Sequence, residues 1–233
     1  MTDSSLTLAV HQPNYIPWLG YFHKLAACDV FVYLDAVQFP RGQSFGARNR
    51  IKTPNGVTFL TVPVSSPKGR KGKATYREID FAEPRWREKH LKTVEMSYAR
   101  AAHFDEVFGL YGRGLEAGST PVEVNVALIE AFASYLGIET KRVLLSKLLP
   151  EFGRKTDLIL DVCKAVGADT YLSGAGGGKE YTDEELLADE EVSVRYDEFE
   201  PTPYPQLWGD FEPGLSALDA LMNCGREART LVG

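Results

Sequence analysis

Residues 6–35 read LTLAVHQPNYIPWLGYFHKLAACDVFVYLD, and this stretch decides the fold. Leu6–Val10 is a short apolar run of the kind that forms a buried strand. Leu19–Cys28 places Leu19, Phe22, Leu25 and Ala26 at helical spacing. Val30–Leu34 is a second apolar, β-branched run. Strand, helix and strand in such a short stretch make a βαβ unit. Its two strands must be parallel, because a helix carries the chain back to the start of the sheet.

Working outward, the same alternation continues. Thr156–Val166 is a helix stopped by Gly167, and Thr170–Leu172 is a short strand after it. Arg142–Leu145 and Val192–Tyr196 are further strands. Helices are expected over Glu83–Arg100, Phe104–Leu115, from Ser119-Thr120-Pro121 to Gly137, and near Leu215–Asn223. Val57–Val64 reads as a strand that Pro63 confines to an edge or an end. The pattern predicts a three-layer, Rossmann-like α/β fold with a mainly parallel sheet. It is expected as one domain over residues 1–233, with residues 36–100 as a basic insertion or cap after the second strand.

Composition agrees with a globular chain. Of 233 residues, 44% are hydrophobic and 25% charged. No apolar run reaches the ~18 residues that span a bilayer. The start, MTDSSLTLAVHQPN, lacks a basic n-region and a long apolar h-region. A cytoplasmic protein without a membrane span is therefore expected. Cys28, Cys163 and Cys224 are scattered and form no CxxC pair, so reduced thiols are expected rather than a metal site or a disulfide. The net charge of −6 divides unevenly: residues 1–100 carry +7 and residues 101–233 carry −13. A basic half on an acidic chain points to an anionic ligand, or to an unevenly charged surface.

Ligands of open parallel sheets bind beyond the carboxyl ends of the strands. His11, Gln12, Asn14 and Tyr15 follow the first strand, and Asp35 and Gln38 follow the second. Ser146 and Lys147 follow Arg142–Leu145. Ser173-Gly174-Ala175-Gly176-Gly177-Gly178-Lys179 follows Thr170–Leu172. His11 is the candidate general acid/base, or a donor to a developing anion; the alternative is a loop histidine bonded to the backbone. Asp35 is the candidate that orients His11 or the attacking amine. Ser173, Gly174, Gly176, Gly177, Gly178 and Lys179 resemble an anion cradle, in which bare glycine backbone approaches a phosphate or carboxylate. The loop is neither a Walker A motif, since Glu180 follows Lys179, nor a dinucleotide fingerprint, since it follows a late strand.

Arg48, Asn49, Arg50 and Lys52 form a second candidate binding cluster with Gln38. Arg48 and Arg50 share one face of an extended segment, and guanidinium groups suit phosphate or carboxylate. A salt-bridge network is the alternative. Tyr15 and Trp18 are candidates for stacking on a ligand ring. The loop with Lys68, Arg70, Lys71 and Lys73 is either a solvated hairpin tip or an RNA contact. No DNA partner is expected of so acidic a chain.

Three blocks carry a resemblance: residues 11–22 (HQPNYIPWLGYF), residues 35–39 (DAVQF) and residues 48–56 (RNRIKTPNG). With the Ser173-Gly174 loop, Tyr204-Pro205-Gln206 and Leu215-Ser216-Ala217-Leu218-Asp219, they resemble the WbqC-like protein family over nearly the whole chain. The resemblance implies a protein of bacterial O-antigen and other polysaccharide gene clusters, with a glycine- or aminoacyl-transferase role. It carries no catalytic residue with it. A weaker similarity, a strand followed by His11-x-Pro13 and a helix, is to the HIGH-type nucleotidylyltransferases and pantothenate synthetases, which bind ATP phosphates there. Asn14 stands where their second histidine would be.

The expectation is a transferase of acyl or aminoacyl groups onto an amine, such as that of an amino sugar. The anionic donor would be an ATP-derived adenylate, a CoA thioester or an aminoacyl-tRNA. The alternatives are an ATP-dependent ligase of the HIGH type and a non-catalytic nucleotide or RNA binder.

Overall fold

The structure is a computed structural model and describes residues 5–40, 42–69, 72–174 and 182–233. In chain order its elements are β1 (Thr7–His11), α1 (Leu19–Ala26), β2 (Val30–Tyr33), β3 (Arg48–Thr53), β4 (Gly56–Thr61), β5 (Val64–Ser65) and β6 (Asp80–Phe81). Then follow α2 (Trp86–Tyr98), α3 (Phe104–Glu116), α4 (Pro121–Tyr135), β7 (Lys141–Leu144), α5 (Leu145–Leu148) and α6 (Thr156–Val166). The last are β8 (Thr170–Gly174), α7 (Glu184–Asp189), β9 (Ser193–Asp197) and α8 (Ala217–Cys224). Among the described residues no helix is long and apolar enough to cross a membrane.

The chain forms two compact units. The first comprises Met1–Gln12, His23–Ala36 and Glu139–Glu200. It holds a five-stranded sheet, order β7-β2-β1-β8-β9, in which every neighbouring pair is parallel. Counted along the sheet's own strands the order is 3-2-1-4-5, so the chain reverses direction across the sheet between β1 and β8. All four residues of β2 are buried, as are Leu8, Ala9 and Val10 of β1. That is why both strands read as unbroken apolar runs: a parallel sheet is covered on both faces.

Right-handed crossovers put the helix leading to β2 on one face and those leading to β8 and β9 on the other. Accordingly α6 packs against α7 and β8. On the opposite face, Arg195 of β9 donates to the carbonyl of Ala27, just past α1, at 2.9 Å. The result is a three-layer Rossmann-like α/β fold. Helix α6 keeps the boundaries its sequence announces because Gly167 takes the left-handed conformation (φ 75°) that ends it.

The second unit comprises Pro13–Phe22, Val37–Ile138 and Pro201–Gly233. Residues 37–100 of the basic segment lie here, after β2, together with α3, α4 and α8. Strands β3 and β4 form an antiparallel hairpin. The sequence predicts a strand over Val57–Val64 at a sheet edge or end and only an extended segment at Arg48–Arg50, whereas the two pair with each other. The missed cue is Asn55-Gly56, a turn pair in which Gly56 adopts φ 99°. Helix α4 starts at a capping box, with Thr120 Oγ1 accepting from the Glu123 N–H and Pro121 in the first turn.

Candidate active site

The carboxyl edge of the first unit's sheet gathers the chemistry. Registered pairing of β1 with β8 ends at Ala9–Leu172, although both strands run two residues further, to His11 and Gly174. Extending that register places His11 level with Gly174, and Gly174 in turn pairs with Asp197 of β9. Side chains alternate along a strand, so His11, Gly174 and Asp197 share a face. It is the face of α1, because His23 of that helix meets Asp197 at 3.1 Å.

His11 Nδ1 lies 3.0 Å from the Gln12 carbonyl. A carbonyl only accepts, so Nδ1 carries the proton and Nε2 the lone pair. Burial, then the nearby Lys24 ammonium, lower the His11 pKa to about 4, against the raising effect of the Gln12 carbonyl. The ring is neutral near pH 7, although its edge retains some solvent contact.

Lys24 and Asp197 were not foreseen as site residues. Lys24 is 5% exposed, and burial lowers its pKa to about 8 despite the opposing influence of Asp197. Burial raises the Asp197 pKa, against the charges of His23 and Lys24. No sequence cue marks Lys24 as buried. Asp197 had one: it directly follows the run Val192–Tyr196, as His11 follows Leu6–Val10.

The other candidates fall in different places. Asp35 is buried at the end of β2, and its two carboxylate oxygens accept from Ser146 N (2.9 Å) and Ser146 Oγ (2.6 Å). It ties the end of β2 to the first turn of α5. Ser173 is fully buried, and its hydroxyl has no hydrogen-bond partner within normal distance among the described residues. It shares a face with Tyr171, opposite to His11. Gly176, Gly177, Gly178 and Lys179 lie outside the described residues, as do Arg70 and Lys71.

Asn14, Tyr15, Trp18, Gln38, Arg48, Asn49, Arg50 and Lys52 belong to the second unit. Tyr15 is fully buried, so its ring has no face left to stack on a ligand. His90 Nε2 lies 3.1 Å from the Thr61 carbonyl, so His90 Nδ1 accepts from the Tyr15 hydroxyl (2.8 Å), and Tyr15 accepts from Tyr111 (2.6 Å). Trp18 packs edge-on against Tyr21 and tilted against Phe45. Gln38 Nε2 donates to the Gly72 carbonyl at 2.6 Å. Arg48 lies over the Phe59 ring at 4.1 Å.

Arg50 donates to the carbonyls of Pro213 (3.1 Å) and Gly214 (2.9 Å), with Glu212 at 3.8 Å. Buried Lys52 donates to Gln206 Oε1 (3.1 Å) and to the carbonyls of Gly209 (3.3 Å) and Asp210. Asp219, also buried, accepts from the hydroxyls of Tyr98 (2.7 Å) and Tyr204 (2.9 Å). The Tyr204-Pro205-Gln206 and Asp219 motifs thus meet β3 in one buried polar network.

The sequence pattern of the WbqC-like protein family matches residues 12–231. The chain is 38% identical over 228 residues to an uncharacterized protein of Mycobacterium tuberculosis (strain ATCC 25618 / H37Rv), Rv1507c, with 95% of each chain covered. No solved structure matches it. A family pattern and a relative that both extend over nearly the whole chain leave one conclusion: the chain belongs to the WbqC-like protein family.

Proposed function

We propose that this protein is a group transferase that moves an acyl or aminoacyl group, a glycyl group among them, from an anionic donor to an amine. The observation that carries the reading is a neutral histidine of fixed tautomer at the chain reversal of a parallel sheet, the place where such folds bind ligands. With its pKa near 4, His11 does not strip a proton from a free ammonium ion. It suits the later step. The neutral amine attacks the donor carbonyl, the new C–N bond forms, and the carbonyl electrons move onto oxygen. The attacking nitrogen becomes cationic and acidic, and its proton passes to His11 Nε2. Collapse of the oxyanion then expels the donor's leaving group, which takes the electron pair and, through His11, the proton.

An aminoacyl-tRNA, a CoA thioester or an adenylate made from ATP supplies such a donor, and an amino sugar is the acceptor class. The family resemblance supports a place in bacterial polysaccharide or O-antigen assembly, in the cytoplasm. The test is turnover of these donors with glucosamine as acceptor, followed by mass spectrometry of the product. His11→Ala is expected to keep the fold and lower turnover by about 10²–10⁴-fold, while His103→Ala changes little. Unchanged turnover in His11→Ala overturns the reading.

A second reading rests on the strand order, which is that of the first five strands of doubly wound nucleotide-binding sheets. It is an ATP-dependent nucleotidylyltransferase or ligase. Magnesium-dependent ATP turnover without an amine acceptor favours it. Nucleotide bound without any turnover, with affinity unchanged in His11→Ala, favours a non-catalytic binder.

A further inference from the structure

Lys24 occupies an unusual place. Its Nζ donates to the Val10 carbonyl at 3.1 Å. The carbonyls of Thr7 and His11 point toward β2, where they accept from Asp29 and Leu34, whereas that of Leu6 points toward β8. Carbonyl direction alternates along a strand, so Val10 O faces β8. Registered pairing of β1 with β8 has already ended at that level. The ammonium therefore takes the position of a ladder N–H, in the crevice where the two strands part. Among the described residues it makes no other hydrogen bond and no ion pair. An ammonium has three N–H donors, and a buried cation with two of them unused is held at a free-energy cost. Beside it, a Cβ added at Gly174 would meet no heavy atom of the described residues within 4 Å. The nearby negative charge, Asp197, is already engaged by His23 at 3.1 Å.

We propose that Lys24 and the crevice between the ends of β1 and β8 form a binding site for an oxyanion, a carboxylate or phosphate group of a ligand. The ammonium donates its remaining N–H bonds to the oxyanion. This deepens the transfer reading by naming what holds the donor's anionic group. It is tested by binding alone, so its failure and a failure of turnover are told apart.

The experiment follows the Lys24 side-chain NMR signal, identified by its absence in Lys24→Met, through pH titrations with sodium chloride, sodium acetate or inorganic phosphate at equal ionic strength. Acetate or phosphate is expected to raise the proton affinity of Lys24 about tenfold or more, as an opposite charge in contact does. Chloride is not. The anion effective at the lower concentration identifies carboxylate or phosphate as the ligand group. The same anion is expected to raise the melting temperature of the unaltered protein but not of Lys24→Met or Lys24→Gln. The proposal is overturned if neither acetate nor phosphate moves the Lys24 titration, or if both variants keep the full anion-dependent rise in melting temperature.

Discussion

Asn49 Nδ2 donates to the carbonyl of Ile16 at 2.8 Å and so holds a β-branched residue at φ 36°. That backbone region is rare for isoleucine and persists only where the surroundings enforce it, at about 1–3 kcal/mol. Asn49 Oδ1 also accepts from the Arg50 N–H at 2.8 Å, so one side chain ties the segment before α1 to β3. Asn49→Ala is expected to lower stability by about 1–3 kcal/mol, because it leaves buried polar groups without partners. Urea unfolding measures it; a loss below ~0.5 kcal/mol would show that the clamp is not needed.

His90 sets an acid limit on stability. Burial lowers its pKa from 6.5 to about 4, against the raising effect of the Thr61 carbonyl, and burial lowers His11 likewise. A folded histidine with a depressed pKa binds fewer protons than the unfolded one between those values. Stability is then full above about pH 6.5 and falls as pH drops toward 4. For His90 the loss is on the order of 3 kcal/mol. Urea midpoints from pH 7 to pH 4 should fall in the unaltered protein and fall less steeply in His90→Gln. Parallel curves would locate the acid sensitivity elsewhere.

Lys24 has a consequence of the same sign at alkaline pH. Its folded pKa of about 8 is below its ordinary 10.5, so the unfolded chain binds more protons between the two values. The penalty of burying the charge is fully present below pH 8 and is relieved as pH rises toward 10.5. The unaltered protein should therefore gain, relative to Lys24→Met, on the order of 3 kcal/mol over that window. Near neutral pH, Lys24→Met is expected to be no less stable than the unaltered protein, since an apolar chain of similar length replaces a buried cation that makes no ion pair among the described residues. A large destabilisation at pH 7 would make the Val10 contact structural instead.

Arg50 anchors the loop before α8. The two carbonyls it serves, Pro213 and Gly214, lie in one turn, and Gly214 has φ 67°. A Cβ at Gly214 would come within 2.8 Å of Arg50 Nη2. Gly214→Ala is expected to destabilise by about 1 kcal/mol or more, from left-handed strain and displacement of the guanidinium. Arg50→Ala should lower the melting temperature, and the double variant should lose less than the sum of the two. Additive losses would deny the coupling.

The parallel sheet was legible in the sequence because its strands are buried on both faces and its helices carry local stop signals such as Gly167. Those are short-range properties, and each strand appears within two residues of its expected place. The position of His11 was legible for the same reason, since the residue after a parallel strand lies on the carboxyl edge wherever the strand sits in the sheet. The β3–β4 hairpin was less so: Val57–Val64 reads as a strand, but β3 is the polar stretch RNRIKT, which carries no apolar run to mark it.

The sequence by itself determined the fold class, the family and the edge on which His11 stands. Only the tertiary structure decided which polar residues are internal ties. Asn49 and Lys52 look like binding residues in the chain, yet their partners lie 33 and 154 residues away. It also brought Lys24 to the β1–β8 crevice. A lysine at a helix position is ordinarily solvated, and no local pattern distinguishes this one. Its burial depends on strand order, on the level at which two strands stop pairing, and on the face that α1 covers, none of which is written within the span of a single helix or strand.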